Sequence, residues 1–263
     1  MSDAGDEALD LSKAPLLTHL MELRRRLLRV VAFCLVAFAV AYVFSEHIYA
    51  FLTQPLVEAF GEHQDRRMIY TGLQEAFVTH LKLSLFVAVF VAMPLILNQV
   101  WKFLVPGLYH HERRVMRPFL WCTPVLFTGG AALAFYGVFP LAWEFFVGFE
   151  SIGGTVGGMP VELEARVSEY LSLVLQLIMV FGLSFELPLV VLLLARAGMV
   201  DVAGLRAFRK HMVIIVFGVA ALVTPPDLVS QLALGLPVLG LYELSILIVR
   251  FWGRPVSDRG DAS

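Results

Sequence analysis

Residues 170–195 read YLSLVLQLIMVFGLSFELPLVVLLLA. The run exceeds the roughly 20 mainly apolar residues that an α-helix needs to cross the hydrocarbon of a bilayer. One ionisable side chain, Glu186, interrupts it. A carboxyl at that depth costs at least about 2.5 kcal/mol on insertion scales unless it faces a wet cavity or a partner. Two residues on, Pro188 lacks an N–H and crowds the carbonyl of the preceding turn, so the span is expected to kink where the carboxyl sits. A kink beside a carboxyl makes a polar concavity, and Glu186 is therefore a candidate functional residue. The competing reading is a protonated, hydrogen-bonded structural carboxyl.

Further apolar runs flank this one on both sides. They cover about 27–44, 76–104, 116–138, 211–224 and 228–251, which with 170–195 predicts six transmembrane helices. The run at 211–224 is shorter than the usual minimum, and 228–251 is interrupted by Gly235, Pro237 and Gly240. Between them, Thr224-Pro225-Pro226-Asp227 leaves room only for a tight hairpin, because consecutive prolines cannot continue a helix. The composition agrees with a polytopic chain: 59% of residues are hydrophobic and 16% charged, against about 45–50% and about 25% in soluble domains. A basic stretch before the first run and Ala39-Val40-Ala41 within it have the form of a cleavable signal peptide. The five runs that follow favour a retained first helix.

Charge sets the orientation. Of the 20 Lys and Arg residues, 16 lie before the first run, around the second and fourth connections, or in the tail after the last run. The remaining four are Arg66, Arg67, Lys82 and Arg166. Cytoplasmic segments carry the basic excess, so both termini are expected in the cytoplasm, which requires an even number of crossings. The net charge of -2 gives no footprint for a nucleic-acid partner. Cys34 and Cys122 sit in apolar runs, where a thiol behaves as a small hydrophobe.

The chain divides into an acidic tail over 1–14, a single membrane domain over 15–252 and a cytoplasmic tail over 253–263. Leu16, Leu20, Leu23 and Leu27 recur at helical spacing before the first span, as in an interfacial amphipathic helix. Thr71-Gly72-Leu73-Gln74 has the form of a capping box that starts the second helix. The segment from about Pro140 to Glu169 carries Gly153, Gly154, Gly157 and Gly158 and is expected to be irregular. No internal repeat is visible.

No P-loop, nucleophile elbow or metal-ligand spacing is present, so neither an enzyme nor a cofactor is expected. Adjacent His110 and His111 point in different directions on a helix and do not make a tetrahedral site. Glu22 and Glu112 lie beside arginines. Taken alone each reads as a local charge partner, Glu22 standing four residues before Arg26, a spacing worth about 0.2–0.5 kcal/mol. Glu75 and Lys82 read as a snorkelling pair.

Together these segments resemble the TatC family. His19-Leu20-Met21-Glu22-Leu23-Arg24-Arg25-Arg26-Leu27 is similar to the family's amphipathic start, and Trp101 to Tyr109 followed by His110-His111-Glu112-Arg113-Arg114 to its first cytoplasmic loop. Ser184 to Pro188 is similar to the fourth-helix carboxyl motif, and Thr224-Pro225-Pro226-Asp227 through Ser230-Gln231 to the last outer hairpin. The resemblance runs from about residue 15 to 252. It implies an all-α polytopic membrane protein of the bacterial cytoplasmic (inner) membrane, a cup-shaped bundle of six spans with both termini cytoplasmic. It further implies the core receptor subunit of the twin-arginine translocase. With the single-span subunits TatB and TatA, and self-associated in a multimeric complex, such a subunit exports folded twin-arginine precursor proteins across the lipid bilayer using the proton-motive force. By the same resemblance Glu22, Arg24, Phe103 and Glu112 bind the signal peptide, Glu186, Thr224 and Gln231 belong to the membrane concavity and its partner helices, and Pro55 is a sensitive outer-loop position. Two alternatives remain at this point. One is a proton-coupled small-solute transporter with Glu186 titrating against Lys82; the other, an intramembrane hydrolase, lacks a paired nucleophile and base within the spans.

Overall fold

The structure is a computed structural model that describes residues 3–60, 67–108, 113–148, 151–156, 159–161, 164–196, 198–224 and 227–252. Within 3–20, 101–120 and 151–161, and at residue 23, it describes the backbone alone. Among the described residues the chain is almost entirely helical: α1 (Asp3–Val43), α2 (Ser45–Phe60), α3 (Glu75–Leu108), α4 (Arg113–Leu133), a π turn (Ala134–Val138), α5 (Phe139–Val147), α6 (Val167–Phe185), α7 (Leu187–Arg196), α8 (Val202–Val223) and α9 (Leu228–Trp252).

Among the described residues, five segments are long and apolar enough to cross a membrane: Arg24–Val43, Glu75–Val100, Trp121–Val147, Val167–Arg196 and Leu228–Trp252. α8 falls short of that measure because its first half carries Arg206, Arg209, Lys210 and His211, which leaves only the stretch from Met212 apolar. The first segment is 6% buried and the fourth 50%, so α1 lies at the periphery while α6 and α7 form the centre. α1 packs on α3, α4 on α6, α2 on α5, and α7 and α8 on α9.

Several local details differ from the sequence expectation. The amphipathic stretch before the first span is not a separate element but runs unbroken into it as α1. The third span does not stop before Pro140. A π turn, in which the Phe139 N–H donates to the Ala134 carbonyl five residues back, takes up one extra residue. Pro140 then falls in the first turn of α5, where its missing N–H costs nothing. Part of the glycine-rich segment is ordered: β1 (Ser151–Val156) and β2 (Met159–Val161) pair antiparallel, Ser151 opposite Val161 and Val156 opposite Met159, with a shift of register between the two pairs. α9 remains one helix through Pro237.

The interior has two apolar clusters. One gathers Leu52, Leu83, Phe135, Phe139, Trp143, Tyr170, Val174 and Phe181, with Ala220 and Leu234, and so joins α2, α3, the π turn, α5 and α6 to α8 and α9. The other gathers Leu189, Leu192, Leu193, Leu205, Tyr242, Ile246 and Val249 on α7, α8 and α9. Glycines set the spacing where α4 crosses α6. A Cβ on Gly130 would stand 2.5 Å from the Phe181 carbonyl oxygen, and one on Gly182 would stand 2.6 Å from the Phe127 ring. Without water to drive association, close van der Waals packing of small residues is what holds membrane helices together.

Candidate functional site

Glu186 occupies the break between the two clusters. α6 ends at Phe185, α7 starts at Leu187, and Glu186 bridges them with φ -74 and ψ -14. Its N–H donates to the Leu183 carbonyl at 3.1 Å, and its carbonyl accepts from Leu189 and Val190 at 3.0 Å each. Pro188, with no N–H to offer, sits in the first turn of α7, as the sequence required. The side chain is 3% exposed, and neither carboxyl oxygen has a hydrogen-bond partner of good geometry. The fully buried Thr123 on α4 is the polar neighbour that interacts with it. A buried carboxyl with so little satisfaction needs a further polar contact or a proton, so the break can take a polar group from a ligand or partner.

Thr224 and Gln231 flank the α8–α9 turn. The Thr224 hydroxyl donates to the Ala220 carbonyl at 2.9 Å, and its N–H donates to the same oxygen at 2.8 Å. Gln231 donates from Nε2 to the Phe217 carbonyl at 3.1 Å across the turn. Asp227 accepts from the Ser230 N–H at 2.6 Å, which caps α9. The other Asp227 carboxyl oxygen is buried without a partner. Pro55 is buried within α2, one turn after Leu52, whose carbonyl accepts from the buried Tyr170 hydroxyl at 2.7 Å. That bond ties α2 to α6.

Glu22 lies at the opposite end of α3 from Glu75. It is exposed on α1, and its Oε1 accepts from Arg26 at 2.5 Å. Arg26 is the more buried partner, its side chain 16% exposed against 55% for Glu22. Its other guanidinium nitrogen reaches the Gln99 carbonyl on α3 at 3.5 Å. Arg24 is exposed. Phe103 falls on α3 one turn beyond Gln99, with only its backbone described, and Glu112 lies outside the described residues, as do His110 and His111. Glu22 and the α3 turn that carries Phe103 therefore share one end of the bundle. Thr224, Gln231 and Pro55 are not part of that group.

Two functional neighbours were not legible beforehand. Nothing in the sequence marks Thr123 as the neighbour of Glu186, because the contact depends on how α4 crosses α6. Arg26 was visible as the Glu22 partner, but not its reach to α3. Glu75 also differs from its reading. It forms no ion pair with Lys82 among the described residues, and it takes the reach-back role expected of Gln74, because α3 begins at Glu75 and not at Gly72.

A sequence model of the TatC family, described as Sec-independent protein translocase protein (TatC), matches residues 18–237. The Sec-independent protein translocase protein TatC of Magnetococcus marinus is 48% identical over 94% of this chain and 86% of its own length. The protein of the same name from Rickettsia prowazekii is 44% identical over 90% and 93%, and that of Escherichia coli K12 is 37% identical over 90% and 89%. A crystal structure of a twin-arginine translocase receptor, TatC, superposes with a TM-score of 0.75 at 34% identity, covering 89% of this chain and 98% of that one.

Proposed function

Since the chain belongs to the TatC family and is a multi-pass component of the Sec-independent protein translocase in the bacterial cytoplasmic membrane, we propose that the end of the bundle bearing Glu22 captures twin-arginine signal peptides. Glu22, Arg24, Phe103 and Glu112 form the binding surface in this reading. Both termini lie in the cytoplasm, TatB and TatA are the single-span partners, the complex is multimeric, and the proton-motive force drives export. Glu186, Thr224 and Gln231 serve the membrane concavity and its partner helices, and Pro55 serves the opposite face.

The observation that supports this reading is the exposed Glu22 carboxylate, engaged at one oxygen by a single arginine of its own helix. A carboxylate accepts two parallel bonds from a planar guanidinium but only a point contact from an ammonium, which favours paired arginines over paired lysines. Arg26 is the resident guanidinium that an incoming arginine must displace or share with. An exposed i,i+4 pair is worth about 0.3–0.5 kcal/mol, so the exchange costs little. The solute-transporter and hydrolase alternatives lose their support, because the family's activity is protein translocation.

Photo-crosslinking from position 103 in native membranes, against precursors carrying paired arginines or paired lysines, tests the proposal. Capture of the arginine form alone, lost on Glu112→Gln, is the expected result. Equal labelling of both precursors would overturn it.

A further inference from the structure

At the end of the bundle away from Glu22, one carboxylate closes two helices at once. Glu75 is the first residue of α3. Its Oε2 accepts from the Thr71 N–H at 2.8 Å and the Gly72 N–H at 3.2 Å, the turn that precedes α3. Its Oε1 accepts from the Ser168 hydroxyl at 2.6 Å and the Ser168 N–H at 3.3 Å, in the first turn of α6. The N-cap position of α6, Arg166, supplies no side-chain cap of its own; its guanidinium turns instead to Glu169 at 3.1 Å. The missing cap is provided from a helix 93 residues earlier in the chain. Beside it the backbone repeats the connection: the Ile69 N–H donates to the Ala165 carbonyl and the Val167 N–H donates to the Ile69 carbonyl, each at 3.0 Å.

A negative charge lodged between the N-termini of two helices is favoured by the dipoles of both, and a carboxylate that accepts charge-assisted bonds from each holds them more firmly than neutral caps do. From there α6 runs as an uninterrupted rod of 19 residues, about 28 Å at 1.5 Å per residue, and ends at the Glu186 break. Its position along and around its axis fixes how Phe181 and Phe185 meet Gly130 and where Glu186 meets Thr123.

We infer that Glu75 is a positioning residue for translocation: it caps α6 from α3, sets the height of the Glu186 break, and stays engaged while a protein passes. This goes beyond signal capture and needs only that the chain be a translocase component. Movement during transport is therefore confined to elements other than the α3–α6 junction.

The test places Cys at positions 75 and 168 in a chain whose native cysteines are replaced (Cys34→Ala, Cys122→Ala), and joins them in native membranes with a short bifunctional thiosulfonate. Glu75→Ala is expected to slow export severalfold. Ser168→Ala, which keeps the backbone N–H, is expected to slow it less. Crosslinking of an arginine signal at position 103 is expected to persist in both, which separates failure of this junction from failure of the capture surface. The unbridged Glu75→Cys, Ser168→Cys pair is expected to export slowly and to recover once bridged. Parent-level export by the unbridged pair, loss of export on bridging, or no recovery by a pair shown to be bridged would each overturn the inference. Should Glu75→Ala fail to accumulate, Glu75→Gln is read in the same way, since its amide turns a donor where an acceptor is needed.

Discussion

The two ends of the bundle are held by different means. At the Glu75 end, aromatic and aliphatic side chains from α2, α3, the π turn, α5 and α6 close into one cluster that also reaches α8 and α9, and the Tyr170–Leu52 and Glu75–Ser168 bonds join elements far apart in sequence. At the Glu22 end the second cluster draws on the consecutive helices α7 to α9. There, apart from the buried Tyr242–Leu205 bond, these polar ties are exposed or thin: Glu22 with Arg26, Arg26 with the Gln99 carbonyl at the limit of bonding distance, and Arg209 with Glu243, both about half exposed. Long-range ties, one buried and one partly buried, make a frame. Exposed ties can exchange partners at little cost, which suits the proposed role of this end in accepting and releasing a peptide.

The frame breaks most readily where helix backbones touch. Gly130→Ala places a methyl 2.5 Å from the Phe181 backbone oxygen and 2.9 Å from the Phe185 ring, and overpacking of this kind costs about 1–3 kcal/mol. The neighbouring Gly129 has nothing within 4 Å of its added methyl, so Gly129→Ala is expected to leave stability unchanged. Thermal unfolding in detergent separates the two variants; equal midpoints would mean that the α4–α6 crossing is not a fixed contact.

A smaller effect sharpens the contrast between the ends. Tyr170 and Tyr242 each donate a buried hydroxyl to a backbone carbonyl at 2.7 Å, one to Leu52 across α2 and α6, the other to Leu205 within the α8–α9 pair. Interhelical hydrogen bonds in membranes average about 0.6 kcal/mol, with a maximum near 1.7. Tyr170→Phe should fall toward the upper figure and lower the global midpoint, because α2 loses its hydrogen bond from the Tyr170 hydroxyl of α6. Tyr242→Phe should raise hydrogen exchange at the start of α8 while leaving the global midpoint almost unmoved. A larger global loss from Tyr242→Phe would reverse the assignment of frame and exchange surface.

The smallest expected effect on stability is at Arg26. Arg26→Ala removes an i,i+4 pair worth about 0.3–0.5 kcal/mol together with the long contact to the Gln99 carbonyl, and leaves the Glu22 carboxylate without its resident guanidinium. Crosslinking yield with a paired-arginine signal is expected to rise while the unfolding midpoint stays within error. A fall in yield would mean that Arg26 orients Glu22 rather than competing for it.

Much of this molecule was legible in the chain itself. Length and apolarity predicted the spans, because a bilayer imposes a local requirement on each segment. Ser184 to Pro188 predicted the break at Glu186, because a missing N–H acts on its own turn. Local rules failed where a neighbour intervened. The glycine-rich segment looked irregular, yet Ser151–Val156 and Met159–Val161 within it pair antiparallel. The third span ran past Pro140 because a π turn shifted the register by one residue. The amphipathic stretch around Leu20 did not separate from the first span, since nothing between them stops a helix.

What the sequence determined alone was the apolar runs, the charge bias between their connections, the carboxyl at the kink and the motifs that mark the family. All are properties of short windows, set by solvation and backbone sterics. What only the tertiary structure decided was partnership: Thr123 beside Glu186, Arg26 between Glu22 and α3, and Glu75 as the cap of α6. A hydrogen bond depends on two groups arriving within about 3 Å, and for groups 93 residues apart that arrival is fixed by how whole helices cross, which no window of sequence contains.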